Sequence, residues 1–217
     1  MDNSKRNERI SGEQEPASLL MDDVQGKSLL HLARSTIEHY LLYETVRDYK
    51  CDDPLTPRSN GLFVTLWGKD TTQTGKAHSE STILRGCIGH LESDLPLYDY
   101  VQKVAIGAAT RDPRFPPLAI AELDTVRIEI SILSPLRKIN KLQEINIGQD
   151  GIILEGLGKR GLLLPNVAVR MGWDSESFLR GVCNKAGLPF CCWPGDCDLF
   201  AFTAVVFDEA ELGVQKD

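Results

Sequence analysis

The sequence predicts an α+β protein with a mostly antiparallel sheet. Three observations lead to this class. Several segments have the two-residue periodicity of strands, short glycine-containing turns join some of them, and the helical segments do not alternate regularly with the strands. No internal repeat is present. We therefore expect one main domain, or two sub-domains that share a core.

Composition narrows the class of protein. The 217 residues include 24 Lys and Arg against 31 Asp and Glu, a net charge of −7, which argues against general nucleic-acid binding. We expect no membrane span and no signal peptide, so the six cysteines are predicted to be free thiols in a reducing cytoplasm. Residues 1–25 are predicted to be a flexible extension, 26–212 the folded domain and 213–217 a tail.

The first half of the chain begins with a helical pattern. The apolar spacing predicts a helix that starts near Lys27, with Ser28 as its N-cap. Residues 51–60 contain two prolines and are predicted to be a loop. Residues 61–67 form the first predicted strand, and the polar segment 68–81 is predicted to be an exposed hairpin loop.

The middle of the chain continues with a second strand at 83–91. A helix is predicted over 96–110, and its small residues at 105 and 107–109 would let it pack closely against another backbone. The alternating segment 126–133 and the apolar segment 150–155 are predicted strands.

A string that resembles a nucleotide-binding motif follows. Residues 156–161 match the G-x-G-x-x-G pattern, but another strand follows where that motif requires a helix, so we predict a hairpin turn. Helical patterns cover 167–172 and 174–186. Residues 198–209 are predicted to form one long final strand.

The string LRGCIG at residues 84–89 carries the main candidate chemistry. Glycine within a strand often marks a close approach by another backbone or a ligand. In an extended segment Arg85 and Cys87 would share one face, and a guanidinium would favour the nucleophilic thiolate. His90 would point to the other face. Cys87 is therefore either a reactive thiol or a buried structural thiol.

The proline-rich segment 112–118 offers two interpretations. Its prolines fix a rigid turn after the predicted helix, and Arg114 could pair with Asp112 or a sheet carboxylate. Alternatively, Arg114 lies beside Cys87 and, with Arg85, binds an anionic group. The sequence leaves both open.

The remaining cysteines suggest a metal site only superficially. Cys191, Cys192 and Cys197 lack the paired spacing and nearby histidine of structural zinc sites, and Cys183 is the one plausible extra ligand. We predict no metal and no cofactor here. We expect incidental or redox-sensitive surface thiols.

LRGCIG at 84–89 and DPRFPPL at 112–118 together resemble the AMMECR family, and blocks as far as Phe207 support the resemblance. The resemblance implies an α+β fold of two unequal sub-domains, with LRGCIG facing a cleft between them. It also implies protein partners of the Memo-like and radical-SAM classes, as in the AmmeMemoRadiSam set. It assigns no reaction.

Two functions remain. As a binding or adaptor protein, the chain would use Gly86 and Gly89 for close packing and would bind partners through Arg85, Cys87, Arg114 and Phe115. As an enzyme, it would use Cys87 as a nucleophile or redox thiol, Arg85 as its activator and Arg114 as a substrate clamp. The absence of an evident histidine partner for Cys87 favours the adaptor.

Overall fold

The computed structural model describes residues 21–48, 61–69, 82–91, 93 and 95–214. These residues form helices α1 (Asp23–Tyr43), α2 (Leu97–Thr110), α3 (Pro165–Met171), α4 (Ser175–Ala186) and α5 (Glu209–Leu212). The strands are β1 (Leu62–Lys69), β2 (Thr82–His90), β3 (Arg127–Leu133), β4 (Arg137–Ile139), β5 (Gly151–Gly156), β6 (Lys159–Leu163), β7 (Cys197–Phe202) and β8 (Ala204–Asp208). They make two four-stranded sheets, ordered β2-β1-β3-β8 and β4-β7-β5-β6.

Every neighbouring pair of strands in both sheets is antiparallel, so the predicted α+β class is confirmed. No helix among the described residues is long and apolar enough to cross a membrane.

Helices α1 and α2 cover one face of the first sheet. Alternate residues of β1 and β3 enter this core, because successive side chains of a strand point to opposite faces. The buried contributors from the two strands are Leu62, Val64, Leu66, Ile128, Ile130 and Ile132. The face away from α1 and α2, which we call the helix-free face because neither of these two helices covers it, carries Phe63, Thr65, Cys87, Glu129, Ser131 and Val206.

A buried ion pair fixes α1 to the far end of the chain. The Arg34 guanidinium donates two bonds of 2.6 Å to the Glu209 carboxylate, and it also donates to the carbonyls of Leu123 and Val126. Glu209 accepts the Ile128 N–H at 2.8 Å. Because each charge is both paired and hydrogen-bonded, this pair satisfies the conditions for burying ions.

The second sheet packs against α3 and α4 around a separate core that includes Phe178 and Leu179. A smaller cluster joins the two sheets through Leu133, Ile153 and Phe202. The first sheet therefore has α1 and α2 on one face and residues of the second sheet on the other.

The predicted single strand over 198–209 is wrong. The chain leaves the second sheet after Phe202 and enters the first sheet at Ala204, with exposed Thr203 between β7 and β8. Ser134 lies where the chain crosses in the opposite direction, and Ser134 and Thr203 exchange hydrogen bonds of 2.9 Å. The sequence is rich in strand-forming residues on both sides of Thr203, so no local signal marks the change of sheet.

The predicted N-cap of the first helix is also wrong. Asp22 caps α1, accepting the Gln25 N–H at 2.8 Å, while the Gln25 side chain accepts the Asp22 N–H at 3.1 Å. This is a capping box with an aspartate at its first position. Ser28 lies inside the helix and donates to the Val24 carbonyl.

Both predicted hairpins are confirmed by antiparallel pairing, β1 with β2 and β5 with β6. The G-x-G-x-x-G string forms a two-residue turn in which Leu157 and Gly158 both have positive φ, 51° and 71°. This is the geometry that a tight hairpin prefers. The predicted loop at 51–60, residues 70–81 of the predicted loop at 68–81, and residues 1–20 of the predicted extension lie outside the described residues.

Candidate functional site

The two glycines of LRGCIG bring other groups close to β2. A methyl group at Gly86 would lie 2.2 Å from the Ala108 carbonyl oxygen on α2, and one at Gly89 would lie 2.2 Å from the Phe63 ring. Real carbon atoms do not approach so closely. The predicted close packing of α2 against a neighbouring backbone is therefore confirmed, and Gly86 is the position that permits it.

Asp112 and Arg114 hold the backbone of Cys87. Strand β2 is at the edge of its sheet, so the outward N–H and carbonyl of Cys87 have no strand partner. The Asp112 carboxylate accepts that N–H at 2.8 Å, and the Arg114 guanidinium donates to that carbonyl at 3.1 Å. Two side chains thus do what a neighbouring strand would do.

The Asp112–Arg114 pair is itself tightly made. Arg114 donates side-chain bonds of 2.9 and 2.7 Å to the two carboxylate oxygens, and its backbone N–H donates a third bond to Asp112. The pair therefore forms as one of the two sequence interpretations expected. Hydrogen bonding to Arg114 holds the pKa of the buried Asp112 carboxyl far below its usual range.

Arg114 also lies close to the thiol of Cys87. The pKa of the Arg114 guanidinium is raised, mainly by Asp112 and in smaller part by the Cys87 thiol. The Arg114 side chain is 53% exposed, and its guanidinium carbon lies 5.5 Å from the centre of the Phe115 ring. Arg114 can therefore hold Cys87 and still contact a molecule in solution.

Arg85 lies elsewhere than the sequence predicted. The pairing of β1 with β2 passes from Gly86 to Leu84, leaving Arg85 in a bulge, so strict alternation with Cys87 is lost. The Arg85 guanidinium donates two bonds of 3.0 Å to Glu122 and further bonds to the Pro116 and Pro117 carbonyls.

The side chain of Arg85 is 15% exposed, and its hydrogen bonds fasten the proline-rich segment to β2. The charged neighbour of the thiol is Arg114 rather than Arg85. The Glu122 carboxylate, which accepts hydrogen bonds from Arg85, has a lowered pKa chiefly because of those bonds.

The half-buried thiol of Cys87 has one further polar neighbour. The Thr65 hydroxyl, directly opposite on β1, donates to the sulfur at 3.4 Å. Among the described residues, no imidazole or carboxylate is hydrogen-bonded to this sulfur. His90 is exposed, with its ring nitrogen 3.0 Å from the Gly89 carbonyl oxygen.

Sequence reasoning missed Glu129. It pairs directly with Thr65 and lies on the helix-free face, where its carboxylate accepts the Trp67 indole N–H at 3.2 Å. Burial raises its pKa above the usual value for a glutamate. The sequence did contain a signal for Glu129, which alternates with Ile128 and Ile130 in a predicted strand. Because the isoleucines mark the core face, the acidic side chain lies on the opposite face.

A cavity of about 610 Å³ lies over this part of the helix-free face. Strands β3 and β8 provide one wall, and α3 with residues 148, 149 and 164 provides the other. The residues that line it are Glu129, Ser131, Gly148, Gln149, Leu164, Pro165, Asn166, Val169, Arg170, Thr203, Ala204 and Val206. Residues 84–89 are not among them.

The C-terminal cysteines correct another expectation. Cys191 is exposed, but Cys183, Cys192 and Cys197 are buried in the core of the second sheet, so they are not surface thiols. Burial and the neighbouring Cys192 raise the pKa of Cys183 to about 11 and that of Cys197 to about 12. Among the described residues, no group of three His, Cys, Asp or Glu side chains is placed to hold a metal ion.

Comparison with known proteins agrees with the family resemblance seen in the sequence. The AMMECR1 family matches residues 30–207. The chain belongs to the AMMECR1 family. Its relatives include Protein MJ0810 of Methanocaldococcus jannaschii, 39% identical over 86% of this chain and 91% of that protein. Another is Protein PF1979 of Pyrococcus furiosus, 40% identical over 86% and 89%.

A family member of known structure has the same fold. The crystal structure of the uncharacterized protein PH0010 from Pyrococcus horikoshii superimposes with a TM-score of 0.75. It is 38% identical, and the match covers 87% of this chain and 93% of that one. Family membership thus confirms the resemblance seen in the sequence and extends it to the fold.

Proposed function

We propose that this protein is a binding or adaptor component that engages partner proteins through the surface formed by residues 84–89 and 112–118. One observation carries the proposal. The two arginines and Asp112 are used to fix the backbone of this surface, while the Cys87 thiol has no hydrogen-bonded base among the described residues. A thiol nucleophile ordinarily has such a base.

The surface suits protein recognition. Pro113, Arg114, Pro116 and Pro117 are exposed, and the bonds from Arg85 hold the last two in place. A rigid surface loses little conformational entropy when a partner binds. An exposed arginine held beside proline rings offers both charge-assisted hydrogen bonds and apolar contact.

The family resemblance suggests the partners. We propose that the partners are Memo-like and radical-SAM proteins and that binding takes place in the cytoplasm. LRGCIG would line the cleft that receives them. No cofactor of its own is needed for this role.

Binding of purified Memo-like and radical-SAM proteins from the same organism tests the proposal, with calorimetry as the measurement. Cys87→Ala and Cys87→Ser should keep the fold and the partner affinity. Arg114→Ala should weaken binding roughly tenfold, because it removes a charge-assisted contact. Arg111→Ala, an exposed arginine three residues earlier, is the matched control and should have little effect.

Arg114→Lys distinguishes a loss of the charge that a partner recognises from a loss of the contacts that hold β2. Lysine keeps the charge but cannot make the forked contact with Asp112. Loss of function in Cys87→Ser, with fold and partner binding intact, would contradict the adaptor role.

One observation favours the enzyme alternative. The Thr65 hydroxyl donates to the Cys87 sulfur at 3.4 Å, and the Arg114 guanidinium is held on the carbonyl of the same residue, so both groups are placed to stabilise a thiolate. In that case Cys87 would be the nucleophile or redox thiol, and the exposed Arg114 would bind an anionic substrate, since Arg85 is already bonded to Glu122. The rate of iodoacetamide labelling at neutral pH, compared with exposed Cys191, decides this point. A Cys87 that reacts no faster than Cys191 would remove the chemical basis for catalysis.

A further inference from the structure

The cavity lined by Glu129 is separate from the Cys87 surface. Strand β1 lies between β2, which carries Cys87, and β3, which carries Glu129. Two strand spacings place the two residues roughly 10 Å apart. The volume of about 610 Å³ is within the range of small-molecule sites.

Glu129 is incompletely satisfied within the protein. One carboxylate oxygen accepts the Trp67 N–H, and the other has no hydrogen-bond partner among the described residues. Partial burial disfavours its charge, so the pKa is raised. A partly desolvated carboxylate with one free oxygen gains more from a cation than an exposed carboxylate does.

The charges around Glu129 leave this end of the cavity negative. Arg127 is the nearby cation, and it is already paired with Asp208. Asp208 and Glu211 raise the pKa of Glu129 and Arg127 lowers it, so Glu129 and Glu211 are the charges that the Arg127–Asp208 pair leaves without an offset. The local field therefore favours a positive group.

The opposite wall is mixed, with three apolar residues beside polar ones. Leu164, Pro165 and Val169 face Ala204 and Val206 across the cavity. Val169 and Val206 are 59% and 47% exposed, so each has apolar area that a ligand can cover. Arg170 also lines the wall, has no hydrogen bond or ion pair among the described residues, and disfavours a second positive charge.

We propose that this cavity binds a small organic cation, an amine or guanidine on a short apolar stem, with its charged group on Glu129 and its stem against Val169 and Val206. The rest of such a ligand is neutral or negative, because Arg170 also lines the cavity. None of the residues that line this site belongs to the surface formed by residues 84–89 and 112–118.

Three probes of equal length test the proposal: n-pentylamine, 1-pentanol and pentanoate. Each is titrated into the isotopically labelled full chain, and amide chemical shifts are followed by NMR. The amine should shift Ser131, Val169 and Val206 and should bind roughly tenfold more tightly than the alcohol. Pentanoate should bind more weakly than the alcohol.

Glu129→Gln should reduce the affinity for the amine to that of the alcohol. The amide keeps an acceptor for Trp67, so the fold should be retained. Glu176→Gln, which removes an exposed charge from α4, is the matched control and should leave binding unchanged.

Dependence on pH gives a readout in the unmodified chain. The amine stays charged, so its affinity should fall as pH is lowered through the raised pKa of Glu129. Asp208, Glu211, Arg127 and Arg170 also face this region, and the two arginines remain charged. The part of the fall in amine affinity that is absent in Glu129→Gln is therefore due to Glu129.

Equal affinity for the amine and the alcohol would overturn the proposal. So would shifts confined to residues outside the cavity, or no binding by any probe at millimolar concentration. None of these outcomes bears on partner binding at Cys87, whose variants are measured separately.

Discussion

The carboxylate of Asp112, at the start of the proline-rich segment, accepts the backbone N–H of Cys87, in the middle of β2, at 2.8 Å. With Arg114 on the neighbouring carbonyl, this bond joins the two most distinctive strings of the sequence into one unit. The spacing of 25 residues between them is bridged by α2, which brings the chain back to the edge of the sheet.

Asp112→Asn should lower the free energy of unfolding by about 2 kcal/mol, because a buried carboxylate with several charge-assisted bonds loses its charge. Urea denaturation at pH 7 measures the change. Asp198→Asn is the control: Asp198 pairs with Lys138 at the surface, both more than half exposed, and should cost less than about 1 kcal/mol. Equal losses in the two variants would contradict a structural role for Asp112.

Stability in acid should depend on the same residue. The pKa of Asp112 is depressed in the folded protein, so its contribution is complete above the unfolded value of about 3.9 and is lost as pH falls from there toward the folded value. The difference in unfolding free energy between wild type and Asp112→Asn should therefore be constant above pH ~5 and shrink below pH ~4. A constant difference down to pH ~2 would count against this assignment.

Glu129 should behave in the opposite way. Its pKa is raised on folding, so the ionised carboxylate opposes folding, and stability is lost as pH rises through the folded pKa. Glu129→Gln should accordingly be more stable than wild type at pH 7, and the gain should vanish in acid, where both side chains are neutral. Thermal unfolding at several pH values measures this. A variant less stable than wild type at pH 7 would show that the charge serves the fold.

Gly86→Ala should destabilise the protein by roughly 2 kcal/mol or more, because the new methyl group meets the backbone oxygen of Ala108. The matched control is Gly68→Ala on the adjacent strand, where the nearest atom lies 3.6 Å away. That change should be neutral or stabilising by up to about 1 kcal/mol. Denaturant midpoints compare the two, and similar values would mean that α2 can move away from β2.

The cysteines should differ sharply in reactivity. In the native protein at pH 7 a thiol reagent should modify Cys191 promptly, whereas Cys183 and Cys197 should react only on unfolding, because they are buried and their pKa values are raised to about 11 and about 12. Mass spectrometry of modified peptides, with and without denaturant, distinguishes the sites. Prompt native labelling of Cys197 would show that this core opens readily.

Local sequence signals were sufficient where a short stretch carries its own structural information. The apolar spacing of 96–110 predicted α2, and the strand on each side of Leu157 and Gly158 identified the hairpin turn. The two motif strings predicted the family, which the comparison confirmed. In each of these, the relevant interactions or patterns lie within a few residues of one another.

Other features depended on which segments meet in space. The break at Thr203, the pairing of Arg85 with Glu122 and the burial of Cys192 and Cys197 all involve partners distant in the chain or in the other sheet. The sequence could offer Arg85 and Arg114 equally as neighbours of the thiol. The bulge in β2 decided between them, because it turned Arg85 toward the proline-rich segment.

The sequence by itself determined an acidic α+β chain of the AMMECR1 family with one distinctive cysteine between glycines. Only the tertiary structure decided that Asp112 and Arg114 hold this cysteine, and that a glutamate two strands away lines a separate cavity. The reason is physical: composition and periodicity act locally, whereas hydrogen-bond partners and burial are set by the packing of segments far apart in the chain.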